Sequence, residues 1–187
     1  MSNHRVASRY AKSILELSLE KGLLEEVHAD FQKLTAMAKS NYDLVLLLNN
    51  PVINSEKKLN VLKALFPEKS TQKMTSTFFE IVSRKSREKI LVDVAKEFEV
   101  QYNIHKSIQV AEVTTTTAIS DEQRAAFVDA VKQISGLTDV QLVEKINPDI
   151  IGGFILKVND RQLDESLSSK LRDLRSQFIQ NHYEKQY

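Results

Sequence analysis

The sequence predicts a mainly α-helical chain: an N-terminal six-helix bundle over residues 1–105, then a smaller mixed α/β domain over residues 106–187. Three observations lead there. Glycine and proline, four and three of 187 residues, punctuate the chain so sparsely that long helices run between them. Up to His105, apolar residues recur at spacings of three and four, the period of a helix with one buried face. Beyond His105 the apolar period shortens to two and a run of threonines follows, a pattern that suits strands.

The first helix runs from about His4 to Lys21 and stops at Gly22, a residue tolerant of the positive φ that a helix end favours. The second starts near Leu24, with Leu24, Val27, Phe31, Leu34 and Ala38 as its stripe. A short apolar helix, Tyr42 to Leu48, is broken by Asn50-Pro51. Ser55 offers a cap to a fourth helix bearing Leu59, Leu62 and Leu65, which Pro67 ends. The fifth, about Thr71 to Ser83, carries Met74, Phe78, Ile81 and Val82; the sixth, about Glu88 to His105, carries Leu91, Val94, Phe98 and Tyr102. In the second part, Ile108 and Val110 alternate with polar Gln109, and Thr114 to Thr117 extend the strand-favouring composition. Ser120 and Gln123 form a capping box for a helix whose apolar line is Ala125, Val128, Val131 and Ile134, closed by Gly136. "VQLVEKI" and "FILKV" read as strands and Asn159-Asp160 as a turn, with Leu167, Leu171, Leu174 and Phe178 as the stripe of a long last helix.

Composition narrows the function classes. The chain is 42% hydrophobic and 27% charged, and 26 basic residues against 25 acidic ones leave a net charge of +1, so no global footprint for nucleic acid exists. Without cysteine there is no disulfide framework, thiolate metal site or cysteine nucleophile. No apolar run approaches the roughly 18–20 residues of a membrane-spanning helix, so any membrane association is expected to be indirect. The opening "MSNHRVASRYAKSI" has no acid before Glu16 and locally imitates a transit peptide. Its apolar positions nevertheless continue in register through Leu19 as one helix.

Half of the chain's glycine sits in "NPDIIGGFILKVND", Asn147 to Asp160. The pair lacks the Lys-Ser/Thr of a phosphate loop and the third glycine of a dinucleotide turn, and it precedes a strand instead of opening a helix. Gly152 and Gly153 therefore read as a bulge or a close backbone crossing. None of His4, His28, His105 and His182 is paired at the i, i+4 spacing of a helical metal site; His28 and His105 read as surface or helix-end residues, and neither metal nor cofactor is expected. No Gly-x-Ser-x-Gly elbow exists, and Asp160, Asp164 and Glu165 read as turn and cap residues in preference to an acid/base pair. The basic run "RKSREK", Arg84 to Lys89, is preferred as a solvated turn over a phosphate-binding patch, since no aromatic residue interleaves with it. The first helix is more unusual. Val6, Ala7, Tyr10, Ala11, Ile14, Leu15 and Leu17 spread apolar character over more than one face, and Ala7, Ala11 and Ser18 allow close approach of another helix. Two neighbours are implied: either both are internal, or one face joins part of the fifth helix in a groove for a partner's amphipathic helix.

Two segments, "RYAKSILELSLEKG" (Arg9 to Gly22) and "INPDIIGGFILKVNDRQLDESLSSKLRDL" (Ile146 to Leu174), carry a resemblance that extends over the whole chain. The sequence resembles the δ subunit of bacterial ATP synthase, which corresponds to the mitochondrial oligomycin-sensitivity-conferring protein. Pro148, Gly152, Gly153, Asp164 and Ser166 fall in the family's C-terminal signature. The resemblance implies a non-catalytic peripheral-stalk subunit, one copy per complex and without cofactor, peripheral on the cytoplasmic side of a bacterial membrane. The N-terminal domain would hold N-terminal segments of the α subunits through Tyr10, Ser13, Ile14, Phe78, Ile81 and Val82. The C-terminal domain would join the b-subunit stalk around Leu167, Leu171, Leu174 and Phe178.

Four or five such anchors, at roughly 1.5–3 kcal/mol each, give gross stabilisation on the order of 6–15 kcal/mol, so further contacts from Arg84, Lys85 and Arg87 are expected. Where the family commonly has Asp-Gly-Ser before the last helix, this chain has Asp164, Glu165, Ser166, and glutamate would strain a turn that needs positive φ. The first helix begins within a few residues of Met1, which implies the bacterial form. The competing readings are a helical nucleic-acid-binding adaptor using residues 84–89 and a hydrolase with a carboxylate site.

Overall fold

The computed structural model describes residues 3–66 and 73–179. The chain divides into two compact units, Met1–His105 and Lys106–Tyr187. The first holds the helices α1 (Asn3–Glu20), α2 (Leu24–Ser40), α3 (Tyr42–Asn49), α4 (Ser55–Leu65), α5 (Lys73–Arg84) and α6 (Leu91–His105). α1 ends as its glycine suggests: Gly22 sits at φ +67° with nothing near the position of a Cβ. The small residues Ala7, Ala11 and Ser18 are fully buried where α1 packs closely on α6, so this face of α1 has an internal neighbour. Phe31 of α2 stacks on Phe98 of α6, with ring centroids 4.7 Å apart, and meets Phe78 of α5 edge-on at 5.9 Å. Polar side chains tie the layers. Thr75 Oγ1 donates to Asp30 at 2.8 Å, joining α5 to α2, and the buried Lys58 ammonium donates to the Leu48 carbonyl at 3.0 Å near the end of α3. Tyr102 donates to Glu25 at 2.7 Å; burial first, then the Glu25 carboxylate, push the Tyr102 hydroxyl up to about 12.

Several expectations need correction. Ser55 is the first residue of α4 and not its cap; Asn54 holds the cap position with extended backbone and no side-chain hydrogen bond to the helix. The sixth helix opens with a 3₁₀ turn, Glu88–Ile90. His28, expected as a surface residue, is half-buried, with its ring stacked on Tyr102 at 3.7 Å. Pro67 and Thr71, expected to end the fourth helix and open the fifth, lie outside the described residues, as does His182.

The second unit contains β1 (Ile108–Thr115), α7 (Asp121–Ser135), β2 (Asp139–Ile146), β3 (Phe154–Val158), β4 (Arg161–Asp164) and α8 (Leu167–Ile179). The sheet order is β2-β1-β3-β4; β1 runs parallel to β2 across the α7 crossover, and the other pairs are antiparallel. The Ser120–Gln123 capping box is present and Gly136 closes α7 in the left-handed conformation. Ala111, Val113, Val131, Leu156 and Val158 make the core, with Phe127 packed on it and edge-on to Phe154 at 5.0 Å. The face α7 buries thus runs through Phe127 and Val131, and the expected Ala125 and Ile134 are exposed. β4, "RQLD", was not expected as a strand: at four residues it forms only by pairing with β3 through the Asn159–Asp160 turn, where Asn159 takes φ +51°.

Candidate functional site

α1 presents Tyr10, Ser13, Ile14 and Leu17 at spacings of three and four, Lys21 continues the row in the turn that follows it, and α5 presents Lys73, Met74, Thr77, Phe78 and Ile81 in the same way. These residues, with Leu23, line an open groove of about 430 Å³. Such a groove arises because the small-residue face of α1 is drawn onto α6, leaving the Tyr10–Leu17 face towards α5 with little close backbone contact. Tyr10 and Phe78 meet edge-on at 6.2 Å across it.

Five of the six head-binding positions named from sequence therefore share one surface. They contribute unequally. Ile14, Met74 and Phe78 are already buried and form a floor that a partner would touch but hardly dehydrate further. Leu17 at 41% and Ile81 at 48% exposure are the apolar lining side chains with most area left to bury, and Tyr10 and Leu23 are half-buried. Val82 is a correction: it is fully buried and absent from the groove lining, because it lies one residue, or about 100° of helix, beyond Ile81. Leu17, Lys21, Leu23, Lys73, Met74 and Thr77 also line the groove without having been named from sequence, although the i+3 and i+4 continuation along the two helices points to all of them but Leu23.

Arg84, at the end of α5, and Lys85 and Arg87, in the turn after it, are solvent-exposed, and Ser86 in that turn takes φ +51°. Arg87 Nη1 donates to the Tyr10 hydroxyl at 3.1 Å and its guanidinium stands 5.9 Å from the ring centroid. Glu88, the acid within this basic run, is buried. Glu80 is held by Lys63 at 2.6 Å, and that hydrogen bond and charge keep its carboxyl below the usual range.

In the second unit the glycine pair is a close crossing, as its sequence suggests. A Cβ on Gly153, at φ +78°, would lie 2.2 Å from the Glu165 carbonyl oxygen, and one on Gly152 would lie 2.8 Å from Leu167 Cδ1. The crossing is pinned by backbone bonds: Glu165 N–H donates to the Phe154 carbonyl at 3.0 Å and Leu167 N–H to the Gly152 carbonyl at 3.0 Å. Asp164 accepts from the Ser166 N–H at 2.9 Å and the Ser169 hydroxyl at 2.7 Å, while Ser166 Oγ accepts from the Ser169 N–H at 3.2 Å and so caps α8. The bonds from Ser166 and Ser169 hold the Asp164 carboxyl below its ordinary range. Pro148 opens a 3₁₀ turn in which Asn147 accepts from the Asp149 N–H at 3.0 Å. Glu165 does not have positive φ, which corrects the expected strain; the non-glycine residues of this segment that do are Ile151, at +65°, and Asn159, at +51°. From this anchored start α8 presents Leu167, Leu171, Leu174 and Phe178 at least partly to solvent, with Phe178 82% exposed. The tip of Leu167 is partly spent on Gly152.

Among the described residues no group of three or more His, Asp or Glu side chains could hold a metal, and no helix is long and apolar enough to cross a membrane. The family model for the ATP synthase delta (OSCP) subunit matches residues 6–178. The chain belongs to that family. It is 38% identical to an ATP synthase subunit delta of Cytophaga hutchinsonii over 180 residues, covering 96% of this chain and 97% of the relative. It is 37% identical to the one of Amoebophilus asiaticus, covering 95% and 96% of the two chains, and 33% identical to that of Christiangramia forsetii, covering 98% of each. A chain in the cryo-EM structure of the Toxoplasma gondii mitochondrial ATP synthase hexamer shares the fold, with a TM-score of 0.73 and 23% identity over 92% of this chain and 97% of that one. In this member of the OSCP/delta family, Gly152 and Gly153 lie where the backbone before β3 passes closely against Glu165, Ser166 and Leu167.

Proposed function

We propose that the chain is the peripheral-stalk subunit of an F-type ATP synthase, tying the catalytic head to the membrane sector and performing no chemistry itself. Rotation of the central shaft would drag the head along unless the head were fastened, so the subunit must resist torque. The N-terminal unit holds N-terminal helical segments of α subunits, and the C-terminal unit joins the b-subunit stalk through α8. The protein is then peripheral to the membrane, on its cytoplasmic side, with one copy per complex.

The observation that carries this reading is the open apolar groove between α1 and α5, with Leu17 and Ile81 half-exposed above a buried floor. The exposed Leu167, Leu171, Leu174 and Phe178 of α8 support the stalk contact. Calorimetric titration with a peptide copying the N-terminus of the same organism's α subunit tests the head contact. Binding with a negative heat-capacity change is expected, since apolar area is buried. Absence of heat over a range of temperatures would refute it.

A further inference from the structure

The groove between α1 and α5 has a polarity that its apolar floor does not explain. Among the described residues its charged lining groups are Lys21 and Lys73, with no carboxylate between them. The acids of the two helices lie elsewhere: Glu16 faces Lys12 at 3.8 Å, Glu80 is held by Lys63, and Glu20 is outside the lining. Neither Lys21 nor Lys73 has an ion-pair partner among the described residues.

Both lysines belong to one end. Tyr10 meets Phe78 edge-on and Arg87 through its hydroxyl, so the N-terminal half of α1 lies beside the C-terminal half of α5. The two helices therefore run in opposite directions along the groove. Going from Tyr10 to Lys21 advances about 16 Å along α1, and going from Phe78 back to Lys73 advances about 7.5 Å the same way. Arg87 marks the opposite end, but it is turned onto Tyr10 and is not in the lining.

We propose that the groove's occupant is an amphipathic helix whose carboxylate-bearing end lies between Lys21 and Lys73, which sets the direction in which it docks. This rests on the groove reading above and adds the partner's charge and polarity. An occupant lying the other way would place its acids beside the Tyr10 end and leave the two ammonium groups beside an apolar or basic segment. Rim charges of this kind contribute modestly to affinity and strongly to register and partner choice.

The test uses the full chain and the peptide copying the N-terminus of the same organism's α subunit, together with a version whose Asp and Glu residues are replaced by Lys. The double variant K21E/K73E, with its fold checked by circular dichroism, is expected to bind the unmodified peptide roughly tenfold more weakly at low salt, the difference closing at high salt. It is also expected to bind the lysine-substituted peptide more tightly than the unaltered chain does. If K21E/K73E binds the unmodified peptide as well as the unaltered chain while I81D does not, the polarity is overturned and the groove stands. If both I81D and K21E/K73E bind it normally, the groove reading falls and the polarity with it.

Discussion

Replacing Gly153 by alanine should be the most damaging of the glycine substitutions, and its size follows from two separate effects. The residue sits at φ +78°, where an L side chain costs roughly 1–2 kcal/mol. Its Cβ would also stand 2.2 Å from the Glu165 carbonyl oxygen, a backbone atom that can retreat only by moving the β4–α8 connection. Forced displacement of packed structure costs typically about 1–3 kcal/mol. The shift would stretch the Glu165-to-Phe154 hydrogen bond and unseat Asp164 from the start of α8. A total of about 2–5 kcal/mol is expected for G153A. Two neighbours serve as controls. G22A meets open space at φ +67° and should cost only about 1–2 kcal/mol, and G152A meets the flexible tip of Leu167 and should cost under about 1.5 kcal/mol. Urea unfolding followed by two-dimensional NMR reads the second unit separately from the first. If G153A proves no more damaging than G22A, the crossing does not explain the glycine pair.

Other consequences follow from the same geometry. Ile81→Asp should change the stability of the first unit by less than about 1 kcal/mol, because the side chain is 48% exposed. It should nevertheless weaken peptide binding by roughly a hundredfold or more, since a carboxylate would be buried against an apolar helix face; denaturation and calorimetry on the same sample check both. Hydrogen bonds depress the Asp164 carboxyl in the fold, so its ionised form stabilises the second unit above the ordinary carboxylate pKa. That contribution is lost as pH falls through the folded pKa, so the stability gap between the unaltered chain and Asp164→Asn should narrow in acid and be widest near neutrality. Tyr102 is shifted the other way. Its neutral form is favoured in the fold, so one of the tyrosines should titrate near 12 by ultraviolet absorbance, and stability should decline between about pH 10 and that value.

Much of the helical unit was legible because periodicity reports burial directly. The stripes of α2 and α6 and the glycine stop after α1 follow from spacings of three and four and from one φ angle. Position around the helix was harder to read at the groove. Ile81 and Val82 are both apolar neighbours in sequence, yet one stands half in solvent and the other is fully buried, a distinction set by which helices pack on α5. Ser55 failed as a cap because the chain reaches helical geometry one residue earlier than a serine cap requires. β4 was invisible because four residues without alternation become a strand only through β3, and the α7 face was misplaced because Phe127 was left out of its apolar line. The Gly152–Gly153 crossing was legible in kind, though its partner, the Glu165 carbonyl, depends on a contact that no local pattern encodes.

The tether claim is tested most directly with membrane vesicles stripped of the catalytic head. Purified head lacking this subunit is added back with the unaltered chain, with I81D, or with none, and the head that sediments with the vesicles is measured. Firm attachment is expected with the unaltered chain and little with I81D or with none. Equal attachment in all three would contradict the tether claim.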